Sequence, residues 1–377
     1  MMKEQRNKHG KLTRPQYGEF ARFELACVGA PCSLLSELIH SISSKLTPMS
    51  TQGYMDADHA DNEADDFGNL SAIQQKGSSW MIQGLNRSSV FDRRRDAENL
   101  DLLWINGNHF IGQNQLVFLD NRKTASLTKR RDQITNIKAF IDVDGSGNIP
   151  DFIKEDHPNF KALPLFQISQ EDEICSFVMD LIKAQKPPLF GLVLAGGKSI
   201  RMGEDKGSIS YRDKNQRETV ADLLRPFCNE VFISCRTDQN ITSDYPILED
   251  RILDLGPMSA ILSAFMHNPD AAWMVVACDL PLLTPSSLKQ LVDARSVRHV
   301  ATAFNNPESQ FPEPLITIYE PKSYSRMLSF LSQGYSCPRK MLINSDIHLI
   351  SNENPSEFIN VNTPEERLAI LNQLKTS

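Results

Sequence analysis

After the paired prolines Pro187 and Pro188 the chain falls into a rhythm that few architectures can satisfy. Short apolar runs stand at 190–195 (FGLVLA), 231–235 (VFISC), 273–278 (WMVVAC), 299–304 (HVATAF) and 315–319 (LITIY). Helically spaced stretches at 218–227, 257–267, 285–294 and 323–333 lie between them. Strands covered on both faces read as continuous apolar runs, and regular strand–helix alternation builds a parallel sheet with helices packed on it. The spacing therefore predicts an α/β domain with a mainly parallel sheet over 187–377. Ligands of such sheets bind at the carboxyl ends of the strands, so the residues just past each run carry the most information.

The first half is expected to form a second, smaller α/β domain. Phe23 to Val28 reads as a buried strand, Gly29 and Pro31 break it, and Leu34 to Ile42 has helical spacing. Strand candidates follow at 102–107, 115–120 and 137–143, and an amphipathic helix at 171–186 is stopped by the two prolines. Residues 50–80, rich in Asp, Asn, Gly and Ser, read as a long loop or a mobile segment. The expected organisation is a polar arm over 1–20, this domain over 21–186 and the larger one over 187–377. A chain of 377 residues suits two domains at about 150 residues each.

Composition narrows the functional classes. A net charge of −7 gives no general attraction to nucleic acid or to an anionic membrane surface. No run approaches the ~18 apolar residues of a membrane span, and no signal-peptide pattern opens the chain. Seven cysteines, an odd number with no C-x-x-C pair, argue against a disulfide framework and a zinc site. They suit a cytoplasmic protein.

The chemistry concentrates at Leu194 to Lys206, LAGGKSIRMGEDK. Adjacent glycines directly after a buried strand let the backbone turn sharply and approach a ligand without Cβ interference. Successive N–H groups in such a turn hold phosphate oxygens. Lys198, Arg201 and Lys206 gather positive charge on the same stretch, and Arg grips phosphate with two parallel hydrogen bonds. The segment is neither G-x-x-x-x-G-K-[ST] nor G-x-G-x-x-G. Further on, an apolar strand ends in Asp279 within MVVACDLP, and Gly256-Pro257 opens a helix within DRILDLGPMSAI.

LAGG followed by S-x-R-M-G-x-D-K resembles the signature of the MobA-like nucleotidyltransferases, the molybdenum cofactor guanylyltransferases in particular. Residues 250–261 resemble that family's Asp followed by GPLAGI, with Met258, Ser259 and Ala260 in place of Leu, Ala and Gly. FPEPLITIY resembles its PEPL stretch and FINVNTPEE its NVNTPED. The resemblance implies a Rossmann-like three-layer nucleotidyltransferase fold. It implies that Leu194, Ala195, Gly196, Gly197, Ser199, Arg201, Lys206, Asp250 and Gly256 bind the nucleotide. Asp279 becomes the Mg2+ ligand, and Arg201, Lys206 and Asp279 the catalytic set. Glu313, Asn360 and Asn362 fall on the acceptor side. Thr363 to Glu366 also reads as the start of a last helix.

The reaction so implied transfers GMP from GTP to a molybdopterin-type phosphorylated acceptor with release of pyrophosphate. Other molybdenum cofactor pathway proteins would be its partners. LAGG rather than LAAG points to GTP. Cytidylyl or sugar-phosphate transfer is one alternative, and a cofactor-binding protein of weak activity is another.

In the first domain, residues 22–42 have the strand–loop–helix layout of a P-loop. The second glycine and the lysine are replaced by Leu34 and Leu35. The placement resembles a MobB-like GTP-binding domain with its phosphate site degenerate, which implies a scaffold or adaptor. Asp56-Ala57-Asp58-His59 offers metal-ligand residue types, but reads rather as a solvated loop. D-V-D-G-S-G at 142–147 reads as a turn, because position twelve of a calcium loop is Ile153 and not Glu.

Overall fold

The computed structural model describes residues 12–57, 72–76, 79–83, 89–195, 214–239, 241–306, 309–361, 363 and 365–370. They divide into two compact units, 17–185 and 186–377, with residues 12–16 grouped with the second. There the backbone N–H of Gln16 donates to both carboxylate oxygens of Asp270, at 3.1 and 3.0 Å.

The first unit runs β1 (Glu24–Val28), α1 (Cys32–Leu46), β2 (Gln52–Met55), β3 (Ala72–Lys76), β4 (Ser79–Gln83), α2 (Val90–Asp96), β5 (Leu102–Asn106), β6 (Gln115–Leu119), α3 (Thr124–Thr128), β7 (Ile137–Asp142), α4 (Asp151–Asp156), β8 (Leu165–Gln167) and α5 (Glu171–Ala184). Six of its strands form one sheet in the order β2-β5-β1-β6-β7-β8, and every pairing in it is parallel. β1, β5 and β6 are buried along their whole length. Leu35, Leu38, Ile39 and Ile42 of α1 meet Ile174, Val178 and Ile182 of α5 over one face.

The stretch read as a loop at 50–80 contains β2 and β3 and runs into β4, which pairs antiparallel with β3. β2 has the sequence QGYM, with too little apolar character to announce itself. It is held by its ladder with β5 and by Trp104, whose indole N–H donates to Gln52 Oε1 at 2.8 Å. The turn after β7 satisfies itself. Asp142 accepts from the N–H groups of Gly145 and Gly147 and from the Gln167 amide, while Ile153 is buried on α4.

At the carboxyl end of β1, Gly29 has φ +106°, and a Cβ there would lie 2.4 Å from the carbonyl oxygen of Phe118. Only glycine makes this turn. Leu35, standing where a P-loop lysine would, is fully buried in the core.

The second unit runs β9 (Leu189–Leu194), α6 (Gln216–Leu224), β10 (Glu230–Cys235), β11 (Ile247–Glu249), α7 (Pro257–His267), β12 (Ala272–Ala277), α8 (Pro285–Asp293), β13 (Ala301–Asn305), β14 (Pro312–Tyr319), α9 (Lys322–Ser332), α10 (Pro338–Ile343) and β15 (His348–Ser351). Residues 365–370 are also helical. The sheet order is β11-β10-β9-β12-β14-β13-β15. Only β14 runs antiparallel to its neighbours, so the sheet is mainly parallel.

Side-chain alternation builds three layers. Val193, Met274 and Val276 pack with Val220 and Leu224 of α6 and with Leu288 and Leu291 of α8 on one face. Leu192, Trp273 and Val275 pack with Ile261 and Phe265 of α7, Met327 of α9 and Met341 of α10 on the other. β9 lies centrally, with β10 on one side and β12 on the other. That is a topological switch point, where crossovers diverge to opposite faces and leave a crevice at the strand ends.

A buried ion pair fastens the rear of this sheet. Arg295 and Glu320 have side chains only 4% and 1% exposed, joined at 2.6 Å, and Arg295 also donates to the Pro187 carbonyl at 3.0 Å. Arg295→Ala leaves the Glu320 carboxylate buried without this partner and is expected to cost about 3–5 kcal/mol. Urea unfolding of the two proteins measures the difference.

Candidate active site

Apolar β9 places Leu194 and Ala195 at the switch point. β12 runs parallel beside it with Ala277 level with Leu194, and the N–H of Cys278 donates to the Leu194 carbonyl at 3.3 Å. The chain after β9 and the carboxylate after β12 therefore leave the sheet side by side. Leu194, Ala195 and Asp279 line one cleft of about 730 Å³. Its far wall comes from the carboxyl end of β10 and from the segment that leads into α7. Ser234, Arg236, Asp250, Asp254 and Gly256 stand there. Cys278 itself is buried in the core.

The wall segment is built with care. Gly256 caps α7 at φ +59°, Pro257 follows as the first helical residue, and no side chain caps the helix, so its first turn opens on the cleft. Ser263 Oγ accepts from the Arg251 N–H at 2.8 Å and donates to the Ser259 carbonyl at 2.7 Å. Ser259 Oγ accepts from the Leu255 N–H at 3.1 Å. Two serines of α7 thus hold both ends of the 251–255 loop. Within it Asp254 keeps a positive φ of 62°, a conformation that side chains other than Gly, Asn and Asp seldom adopt.

Asp250 is 8% exposed. It accepts from Ser234 Oγ at 3.1 Å, and its backbone N–H donates to the Cys235 carbonyl at 2.9 Å. Burial pushes its carboxyl up to about 6, against the opposing pull of the Ser234 hydroxyl and the Arg236 charge. Arg236 is braced by Asp238 through Nε at 2.8 Å and a terminal nitrogen at 3.1 Å.

The C-terminal segment is strapped beside Asp279. Glu357 accepts from the Thr284 N–H (2.9 Å) and hydroxyl (2.8 Å) at the start of α8, and Phe358 packs edge-on against Phe304, centroids 4.8 Å apart. The N–H of Val361 then donates to the Asp279 carbonyl at 3.0 Å. Asn360 is exposed beside this contact. Thr363 and Glu366 exchange side-chain to backbone hydrogen bonds at 3.1 and 3.2 Å, a capping box that opens the last helix.

Of the residues singled out from sequence, Leu194, Ala195, Asp250, Gly256 and Asp279 come together in this cleft. Glu313 does not line it. It sits at the start of β14, where Asn306 donates to one carboxylate oxygen and Arg339 approaches the other at 3.5 Å. Gly196, Gly197, Lys198, Ser199, Arg201, Lys206 and Asn362 lie outside the described residues. Sequence reasoning passed over Ser234, Arg236 and the structural roles of Ser259 and Ser263. The polar residue closing the apolar run VFISC was the available signal for the first of these.

The MobA-like NTP transferase domain matches residues 191–347. The molybdenum cofactor guanylyltransferase of Shewanella woodyi (strain ATCC 51908 / MS32) is 30% identical over 184 residues, which cover 47% of this chain and 92% of that protein. The chain belongs to the MobA-like NTP transferase family. The molybdenum cofactor guanylyltransferase of Shewanella loihica (strain ATCC BAA-1088 / PV-4) is 27% identical over 189 residues, 48% of this chain and 94% of that protein. A molybdenum cofactor biosynthesis bifunctional protein of Synechocystis sp. (strain ATCC 27184 / PCC 6803 / Kazusa) is 37% identical over 182 residues. That match takes in 48% of this chain and about half, 52%, of the relative's length. The MobA-like unit is a nucleotidyltransferase domain, and the cleft beside Asp279 is its candidate active site.

The raised Asp250 carboxyl makes a stability prediction. The folded protein holds this proton up to about pH 6, whereas an unfolded aspartate releases it near 3.8. Between those values the folded state binds more protons, so stability falls as pH rises through the window and the full penalty stands above it. The penalty is on the order of 2–3 kcal/mol. Asp250→Asn is expected to flatten the dependence between pH 4 and about 6, as measured by urea midpoints across that range. An unaltered slope would refute the burial argument.

Proposed function

We propose that this MobA-like protein transfers GMP from GTP to a molybdopterin-type phosphorylated acceptor, with Mg2+ bound at Asp279 and pyrophosphate released. One observation carries the reading. The end of the LAGG strand, the Asp250–Gly256 wall and Asp279 come from three separate strand ends and line a single cleft. The names of the Shewanella relatives supply the nucleotide and the acceptor class.

Electrostatics supports the metal. The described lining carries the carboxylates Asp238, Asp250, Asp254 and Asp279 against the single guanidinium of Arg236, a wall that would repel a triphosphate by itself. Among the described residues no group of three or more His, Cys, Asp or Glu is placed to cage a metal ion. A strand-end carboxylate such as Asp279 fits Mg2+, which takes one or two carboxylates and completes its shell with phosphate oxygens and water. When bound, the ion neutralises phosphate charge as pyrophosphate departs.

The chain's own residues do the rest. In this reading the Leu194–Gly197 backbone grips the nucleotide. Arg201 takes the β- and γ-phosphates and Lys206 the α-phosphate. Asp250 and Gly256 bound the nucleotide on the opposite wall. Asn360, exposed beside the Val361–Asp279 contact, and Asn362 belong to the acceptor side in this reading, as does Glu313, oriented by Arg339 and Asn306.

The unit over 17–185 is in this reading a MobB-like scaffold or adaptor for other molybdenum cofactor pathway proteins. Its P-loop lysine position is the buried Leu35, which leaves this loop without the cation by which a P-loop reaches the phosphates. Among the described residues no helix is long and apolar enough to cross a membrane, and the free cysteines suit a cytoplasmic protein.

Incubation with molybdopterin, Mg2+ and either GTP or CTP, with pyrophosphate measured, tests the reading. Release is expected with GTP alone. Asp279→Ala is expected to reduce it by about 10²–10³-fold or more. Release with CTP in place of GTP would assign the protein to cytidylyl transfer. Full activity of the Asp279 variant would overturn the site.

A further inference from the structure

The carboxyl ends of three adjacent strands in the first unit bring a cysteine, a histidine and an aspartate together. The sheet order β2-β5-β1 places the ends of these strands side by side. Cys32 opens α1 after β1, His109 lies in the loop after β5, and Asp56 directly follows β2. Cys32 Sγ is 3.3 Å from His109 Nε2, and the same nitrogen is 3.9 Å from Asp56 Oδ1.

The surroundings fix these positions. Asp56 accepts from the Tyr54 hydroxyl at 2.6 Å, the Asn106 amide at 2.9 Å and the Ala57 N–H at 2.8 Å. Those hydrogen bonds hold its carboxyl below the usual carboxylate range, against the opposing effect of burial. They also occupy its oxygens, which suits a stabilising anion better than a metal ligand. Asn108 donates to the Ala30 carbonyl at 2.9 Å, tying the β5 loop to the β1 loop, and its amide lies 3.6 Å from Cys32 Sγ. The His109 and Asp56 side chains are 23% and 26% exposed, and Cys32 is half-buried, so the group is shielded but reachable.

We propose that Cys32, His109 and Asp56 form a thiol-nucleophile site that reacts with small disulfides and leaves a mixed disulfide on Cys32. The Cys32 thiol passes its proton to His109 Nε2. The sulfur bonds to one sulfur of the disulfide, whose S–S bond breaks, and the departing thiolate takes the proton back from His109. Asp56 stabilises the imidazolium formed in between, and the Asn108 amide faces the attacking sulfur. The exchange needs a nucleophile, a proton acceptor and access, which are what these residues supply. Cys27 lies in the neighbouring strand but is fully buried, and burial pushes its thiol far up. It therefore cannot attack the adduct and close an internal disulfide, so the mixed disulfide persists.

The full chain is incubated with oxidised glutathione near pH 7 and adducts are mapped by peptide mass. Cys337 is exposed and serves as the internal reference. Cys32 is expected to be modified about tenfold faster than Cys337, because an unassisted thiol is only a few per cent ionised at that pH. His109→Gln and Asp56→Asn are expected to bring Cys32 down towards the Cys337 rate near pH 7. Recovery is expected above about pH 9, where thiols ionise unaided. Recovery at high pH separates loss of the proton acceptor from loss of access. If Cys32 is no faster than Cys337, or if neither variant slows it near neutral pH, the proposal fails.

Discussion

Parallel pairing of β9 with β12 is the constraint on which the candidate active site depends. The two strands are far apart in the chain, and each is apolar enough to be buried on both faces. Side by side in the centre of the sheet, they release their next residues at one level, so that Ala195 and Asp279 share a cleft. The hydrophobic effect does the positioning here. Burial of Val193, Met274, Val275 and Val276 holds the backbone to a fixed register, and the polar residues after each strand inherit that precision.

The surrounding polar structure serves the same end. The serines of α7 stitch the 251–255 loop to the helix it precedes, and Glu357 ties the C-terminal strap to the start of α8. Together they keep two irregular segments against a rigid sheet, where segments of this kind would otherwise move independently. The cleft so formed concentrates carboxylates, including one kept partly protonated by burial.

Legibility followed burial. The five apolar runs of the second unit each coincide with a strand, because doubly covered strands must be apolar at successive positions. The short strands β2, β11 and β15 escaped notice, since edge strands are held by backbone ladders that leave little mark on side-chain pattern. The long polar stretch at 50–80 hid β2 and β3 for that reason. In the cleft, Leu194, Ala195, Asp250, Gly256 and Asp279 were found from motif and strand-end position. Ser234 and Arg236 were not, because their part depends on which strand lies beside which. Glu313 was placed with the acceptor side on resemblance; its side chain is engaged by Asn306 and Arg339 and does not line this cleft.

The amino-acid sequence by itself determined the α/β class with mainly parallel sheets and the MobA-like character of the second half, because apolar periodicity and strand-end motifs are local properties. Tertiary structure alone decided which strand ends are neighbours. The order of strands in a sheet is set by crossover packing between distant segments, which no local pattern records. That ordering gathers Asp250 and Asp279 around one cleft in the second unit. In the first it sets Cys32, His109 and Asp56 within hydrogen-bonding and ion-pairing distance, a grouping that no window of the chain contains.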